Sequence, residues 1–300
     1  MRTLCFGEAI VDLICQRPVA SLAEADAFVA HVGGVSANVA IAATRAGADV
    51  ALAGGAGDDA WGGWLRGRLS DEDVGLEWFR LAAGQRTGLA FVTVDERGEP
   101  SYELHGDGIP ATIANVKRRL LDAVAKTDAL FFGSNVLAGK AEAALAMAAR
   151  ERALELGHPV VFDANVRLHR WDSSGGRAGA ACGQCVPDAF LVKCNEEEAR
   201  LMTGEERPEA AAASLLAAGA QHVVVTCGAR GAILRARSLR RDVAGRPARV
   251  VNAMGAGDVF AGVLLAALGT TDFYPPAIAA AMPDAVEEAA RACERWGALE

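Results

Sequence analysis

The sequence predicts an α/β protein in which a central, mostly parallel sheet carries helices on both faces and a small β lid sits beside it. Short apolar runs alternate with helical segments along most of the 300 residues, the pattern of a sheet whose crossovers cover both faces. Two segments, 13–32 and 86–106, break that alternation. They are expected to be lid insertions in one domain spanning 1–300.

The first apolar run, "TLCFGEAIVDLI" from Thr3, reads as one strand, and residues 13–32 separate it from the helical "SANVAIAATRAG". "VALAGGAG" is the next strand candidate. The stretch 86–106, "RTGLAFVTVDERGEPSYELHG", alternates apolar and polar side chains around "DERGEP" and predicts a hairpin. The runs "ALFFGS", "VVFDAN", "AFLVKCN" and "HVVVTCGARGAIL" follow, with "KAEAALAMAARERALELG" and "RPEAAAASLLAAG" as helices among them. "WDSSGGRAG" at 171–179 reads as the most flexible loop. After "NAMGAGD", the side chains of Val259, Phe260, Val263, Leu264 and Ala267 recur at helical spacing and predict a helix with one buried face.

Composition narrows the function classes. With 52% hydrophobic residues the chain can bury a large core, and its net charge of −8 opposes diffuse attraction to nucleic acid or an anionic membrane. No apolar stretch reaches the ~18 residues of a membrane span. Glu8 and Asp12 interrupt the opening where a signal peptide is apolar. Seven cysteines, an odd number, suit a reducing compartment rather than a disulfide framework, so a cytoplasmic protein is expected. Cys182 and Cys185 form the one CxxC. Without a second pair or nearby histidines it reads as two packing residues.

Candidate chemistry lies where strands end and helices begin, because open parallel sheets bind ligands beyond the carboxyl ends of their strands. Gly255, Ala256 and Gly257 precede a helix whose first N–H groups have no intrahelical partner. Small residues there let an anion approach the main chain at the positive end of the helix dipole. Asp258 falls in the first turn, as a functional carboxylate or as a helix cap. In "GGVSANVA", Gly33 and Gly34 allow close approach of the backbone, and Asn38 offers donors and an acceptor to a polyhydroxylated ligand; the alternative is a glycine-rich turn with Asn38 at a helix start. "GSNVLAGKA" has the glycines of a P-loop at the wrong spacing and lacks its Ser or Thr. "GAGDDA" at 55–60 fits the relaxed dinucleotide fingerprint, but Asp58 and Asp59 would face a pyrophosphate with like charge. A nicotinamide-dependent oxidoreductase is therefore the minority alternative.

"GGVSANVA", "NEEE" at 195–198, "VTCGARG" at 225–231 and "GAGD" at 255–258, in that order and at those separations, resemble the PfkB or ribokinase-like carbohydrate kinases over nearly the whole chain. "FGEAIVDLI" and "FDANVRLHRW" look most like fructokinases and 2-keto-3-deoxygluconate kinases. The resemblance implies a ribokinase-like fold and ATP-dependent phosphorylation of a hydroxymethyl group on a small sugar or sugar acid. It makes Asp258 the general base and Gly255, Ala256 and Gly257 the anion hole. Asn195 and Glu198 would organise Mg²⁺ and the phosphates through water, and Thr226, Gly228 and Gly231 would hold the nucleotide. Asp12, Gly33, Gly34 and Asn38 match sugar contacts, Arg167 an arginine beside substrate or phosphate, and Tyr102 a wall of the sugar pocket. The partners implied are the sugar and ATP, with no nucleic acid or membrane, and a homodimer through the lid is compatible with the family. A non-catalytic sugar-binding relative is the other alternative.

The chain departs from the family in two places. Asn252, Ala253 and Met254 stand where the family's last motif begins with Asp, which leaves a neutral side chain near the usual monovalent-cation loop and argues against potassium activation. "YELHGDG" carries His105 where many fructokinases and keto-acid kinases have an arginine.

Overall fold

The computed structural model describes residues 1–106, 113, 116, 117, 119–171, 175–297 and 299. Residues 172–174 of the loop expected to be flexible lie outside the described residues. Among the described residues thirteen strands form two sheets.

The large sheet contains β1 (Thr3–Phe6), β4 (Val50–Gly57), β5 (Phe79–Ala82), β8 (Ala129–Gly133), β9 (Val160–Asp163), β10 (Leu191–Asn195), β11 (His222–Thr226), β12 (Gly231–Ala236) and β13 (Arg240–Ala244). Their spatial order is β13-β12-β11-β10-β9-β8-β1-β4-β5. Pairings from β5 to β11 are parallel, and the last two strands add antiparallel. The chain leaves β1 towards β4 on one side and returns to β8 on the other, so the topological switch lies between β1 and β8. That is where an open parallel sheet leaves a crevice at its carboxyl edge.

Period-two alternation sends neighbouring side chains to opposite faces and builds two cores. Phe132 and Phe162 pack on one side with α4 (Lys140–Glu155) and α7 (Pro208–Ala217), through Ala146, Ala149 and Leu215. Phe131 and Val161 pack on the other with α1 (Val35–Arg45), α8 (Ala256–Thr270) and α9 (Pro276–Cys293), through Ile41, Leu264 and Met282. The remaining helices are α2 (Ala60–Asp71), α3 (Leu120–Ala125), α5 (Gly176–Gly183) and α6 (Glu196–Thr203).

The small sheet has the order β3-β2-β6-β7, with β2 at Ile10–Cys15, β3 at Phe28–Gly33, β6 at Leu89–Val94 and β7 at Pro100–His105. The hairpin expected around "DERGEP" is β6–β7, paired antiparallel from Leu89↔His105 to Val94↔Pro100.

Two local readings change. The run "TLCFGEAIVDLI" is two strands in different sheets, not one, so the small sheet begins at Ile10 rather than at residue 13. The break falls at Glu8, 1% exposed, whose carboxylate accepts from the Val35 N–H at 3.0 Å and from Asn135 Nδ2 at 2.7 Å. Those bonds hold the chain outside either ladder. The glycines of "GAGDDA" lie largely inside β4, with Gly55 opposite Arg80 and Gly57 opposite Ala82, rather than in a phosphate-binding turn. Asp59 caps α2 through the Gly62 N–H and accepts from the N–H and Oγ1 of Thr87. The segment therefore lacks the phosphate-binding turn of a dinucleotide site.

Candidate active site

A cleft of about 570 Å³, counting its open mouth, lies at the switch point between the large sheet and the small one. Glu8 and Asn135 reach it from the ends of β1 and β8, and their hydrogen bond closes the floor. Asp12, Ala90, Tyr102 and Leu104 face it from the small sheet. Gly34 and Asn38 come from the start of α1, Arg167 and Arg170 from the segment after β9, and Met254, Gly255 and Asp258 from the start of α8. Of the expected sugar contacts, Asp12, Gly34, Asn38, Tyr102 and Arg167 thus share one cleft with Asp258. Gly33 does not line it; a side-chain carbon there would come 2.3 Å from the Asp12 carboxyl, so this glycine makes room for Asp12.

Asp258 is 3% exposed, and its two oxygens accept from Asn38 Nδ2 at 2.9 Å and Asn165 Nδ2 at 2.8 Å. Side-chain amides from α1 and from the segment after β9 therefore orient the carboxylate, a geometry different from a helix cap. Gly255, the N-cap residue of α8, has φ of 69°, a left-handed conformation that costs glycine little. This turn aims the free N–H end of α8 towards the cleft that Gly255 and Asp258 line.

Asp12 is 7% exposed, and burial pushes its carboxyl up to about 7, helped by Asp258 and opposed by Arg167. Its Oδ1 and the Oδ1 atoms of Asn38 and Asn135 are buried with no hydrogen-bond partner among the described residues. Three acceptors lining the cleft are thus left without a donor, and buried polar atoms are costly until paired.

The second group of expected residues lies at the ends of β10 and β11, outside the cleft lining. Asn195 and Thr226 are register partners. Asn195 and Glu198 form a capping box on α6: Asn195 Oδ1 accepts from the Glu198 N–H, and Glu198 Oε2 from the Asn195 N–H, each at 2.8 Å. Glu198 Oε1 accepts from the Val166 N–H at 2.8 Å. This carboxylate therefore fixes a helix start and the segment carrying Asn165 and Arg167. Gly228 is exposed in the turn after β11. Gly231 has a local reason to be glycine, since a side-chain carbon would come 2.0 Å from the Val243 carbonyl.

Sequence reasoning missed Asn165, Asn135 and Arg170, and saw Glu8 only as a charge against a signal peptide. "FDAN" and "GSN" at strand ends were the signals for the two asparagines. Asn252 is 1% exposed; its Nδ2 donates to the Trp296 carbonyl at 2.6 Å and its Oδ1 accepts from the Met254 N–H at 2.9 Å. Cys182 and Cys185 are buried and free, and burial pushes both thiols up, away from the reactive thiolate. Among the described residues no helix is long and apolar enough to cross a membrane.

A model described as pfkB family carbohydrate kinase matches residues 2–293. Fructokinase-2 of Solanum lycopersicum is 32% identical over 261 residues, 87% of this chain and 79% of that protein. A double mutant of fructokinase from Vibrio cholerae O395, in a fructose-, ADP- and potassium-ion-bound form, superposes with a TM-score of 0.84 at 28% identity, covering 99% of this chain and 94% of that one. Fructokinase with bound ATP from Xylella fastidiosa gives a TM-score of 0.83 at 25% identity, over 99% of this chain and 94% of the other.

Proposed function

Because the chain belongs to the pfkB family of carbohydrate kinases, we propose that it transfers the γ-phosphoryl group of ATP to a hydroxymethyl group of a fructose-like ketose or a 2-keto-3-deoxygluconate-like acid. The observation that carries this reading is the convergence in one cleft of Asp258, the N-terminus of α8 and three buried acceptor oxygens without donors. A ligand that satisfies Asp12, Asn38 and Asn135 must bring several donors, as sugar hydroxyls do. The relatives' fructose, ADP and ATP support the same class.

In the mechanism, the acceptor hydroxyl lies against Asp258, which takes its proton as the oxygen bonds to the γ-phosphorus and the bond from that phosphorus to the β,γ-bridging oxygen breaks, releasing ADP. Asn38 and Asn165 keep the carboxylate aimed and leave lone pairs for that proton. Charge gathering on the transferring group meets the N–H groups of Gly255, Ala256 and Gly257 and the α8 dipole. Arg167 and Arg170 offer cationic forks to a phosphate or a sugar carboxylate. Asn195, Thr226, Gly228 and Gly231 place the nucleotide beyond β10 and β11.

Mg²⁺ bound to the nucleotide would neutralise phosphate charge. Both Glu198 oxygens already accept backbone N–H groups, so Glu198 and Asn195 fit a hydrated ion held mainly by phosphate rather than a protein cage. The small sheet acts as the lid. The face of the small sheet opposite the cleft holds Leu13 and Ala30 against the second core; pairing of two copies through this sheet is part of the proposal, and a sedimentation mass of one chain would exclude it.

The test is a screen of ketoses, keto-deoxy acids, ribose and nucleosides for acceptor-dependent ADP release with MgATP. Release with a ketose or keto-deoxy acid is expected. Release with nucleosides alone would overturn the substrate assignment, and NADH formation without ADP release the kinase reading.

A further inference from the structure

A buried charge pair that the reaction above does not use lies under the first turn of α8. Lys193 on β10 and Asp163 at the end of β9 are register partners. Lys193 Nζ donates to the two Asp163 oxygens at 2.9 and 3.1 Å, with both side chains sealed from solvent. An interior ion pair is a poor route to stability, since well-packed apolar residues of similar volume often do as well or better. The position of this pair therefore calls for an explanation.

Three observations supply one. A side-chain carbon at Gly257 would come 3.1 Å from Lys193 Nζ, so the ammonium lies close beside Gly257 of the proposed anion hole. The Lys193 carbonyl accepts from the Ala164 N–H at 2.9 Å, and the next residue, Asn165, donates to Asp258. Carboxylates act on Lys193 from three elements: Asp163 on β9, Glu198 on α6 and Asp258 on α8. The ammonium thus lies beside the first turn of α8 at Gly257 and is paired with Asp163, which heads the segment carrying Asn165.

We infer that Lys193 is a positioning residue for phosphoryl transfer: it fixes the first turn of α8 and the segment 163–165, and adds a fixed positive charge behind the site where the transferring group is most anionic. The inference rests on the kinase reading. Lys193 acts through Gly257 and Asn165, since two of its three N–H groups are spent on Asp163 and it does not line the cleft. Preorganised charge of this kind acts on the transition state more than on ground-state binding.

Steady-state kinetics and thermal unfolding of Lys193→Met, Lys193→Arg and the double variant Asp163→Leu/Lys193→Met test it. Lys193→Met is expected to lower kcat at least ~10-fold while KM for sugar and for ATP stays within ~3-fold, the pattern of a lost transition-state interaction. Lys193→Arg should recover much of the rate. The double variant removes charge without stranding a partner, so it should melt near the wild type and remain as slow as Lys193→Met. A double variant with wild-type kcat, a kcat loss that simply follows Tm across the variants, or an Arg variant no faster than the Met variant would each overturn the inference. Wild-type protein that phosphorylates no acceptor would instead overturn the kinase reading, so the two failures are distinct.

Discussion

Asp258 illustrates how a side chain in a helix's first turn can be committed elsewhere: its carboxylate is held by Asn38 and Asn165, which belong to distant parts of the chain. On the proposed mechanism, Asp258→Asn keeps the size but leaves no base for the sugar hydroxyl. Turnover should fall by about 10²- to 10⁴-fold, roughly 3 to 5 kcal/mol of transition-state stabilisation, with sugar and ATP still bound by calorimetry. Near-normal turnover would sink the assignment. Asp12 makes a separate prediction through stability. Its folded-state carboxyl titrates near 7, above the usual carboxylate range, because it is buried. Folding then favours the protonated form, so wild-type stability is full at low pH and declines as pH rises through that value. Asp12→Asn removes the titration and should be more stable than wild type by about 1 to 3 kcal/mol at pH 8, with the gap closing towards pH 4. Denaturant unfolding at the two pH values checks it, and a gap unchanged by pH would refute the burial argument. At this scale much of the cleft lining was legible: Asp258, Asn38 and Asp12 stood out where strands end and helices begin, and Tyr102 and Arg167 came from the family resemblance. Asn165, Asn135 and Arg170 were not, because their importance lies in partners 93, 127 and 35 residues away.

The elements show the same division between local and distant causes. The helix after "GAGD" and the β6–β7 hairpin were readable because periodicity and turn chemistry are local signals. The separation of β1 from β2 was not, since nothing near Glu8 reveals that its carboxylate will be used by Val35 and Asn135. The loop before α8 raises the question of cation dependence. Asn252 spends its amide nitrogen on the Trp296 carbonyl and its oxygen on the Met254 N–H, ties that hold the loop without a cation. Potassium is therefore expected to change the rate little at fixed ionic strength. In Asn252→Asp the Trp296 carbonyl loses its donor and a carboxylate is buried, which should cost about 1 to 3 kcal/mol. A steep, saturable potassium requirement that sodium cannot replace, as measured by rate against potassium, would show that backbone carbonyls form a cation site despite Asn252.

Across the whole molecule the two sheets have unequal support. The large sheet is packed on both faces by helices and is the rigid partner. The small sheet contributes Asp12 and Tyr102 to the cleft, while its outer strands β3 and β7 carry exposed side chains such as Val29 and Leu104. Phosphoryl transfer to a sugar must keep water from acting as the rival nucleophile. On the proposed reading, the acceptor also supplies the hydroxyl donors that Asp12 on one sheet and Asn38 and Asn135 beside the other lack, so its binding should draw the sheets together. Hydrogen exchange measures this directly: acceptor with a non-hydrolysable ATP analogue should slow exchange in 86–106 and in β2–β3, and leave the central strands β1 and β8, already sealed, almost unchanged. Protection confined to the ends of β10 and β11 would mean that nucleotide binds without closure. No change in 86–106 with both ligands bound would remove the small sheet's role as a lid.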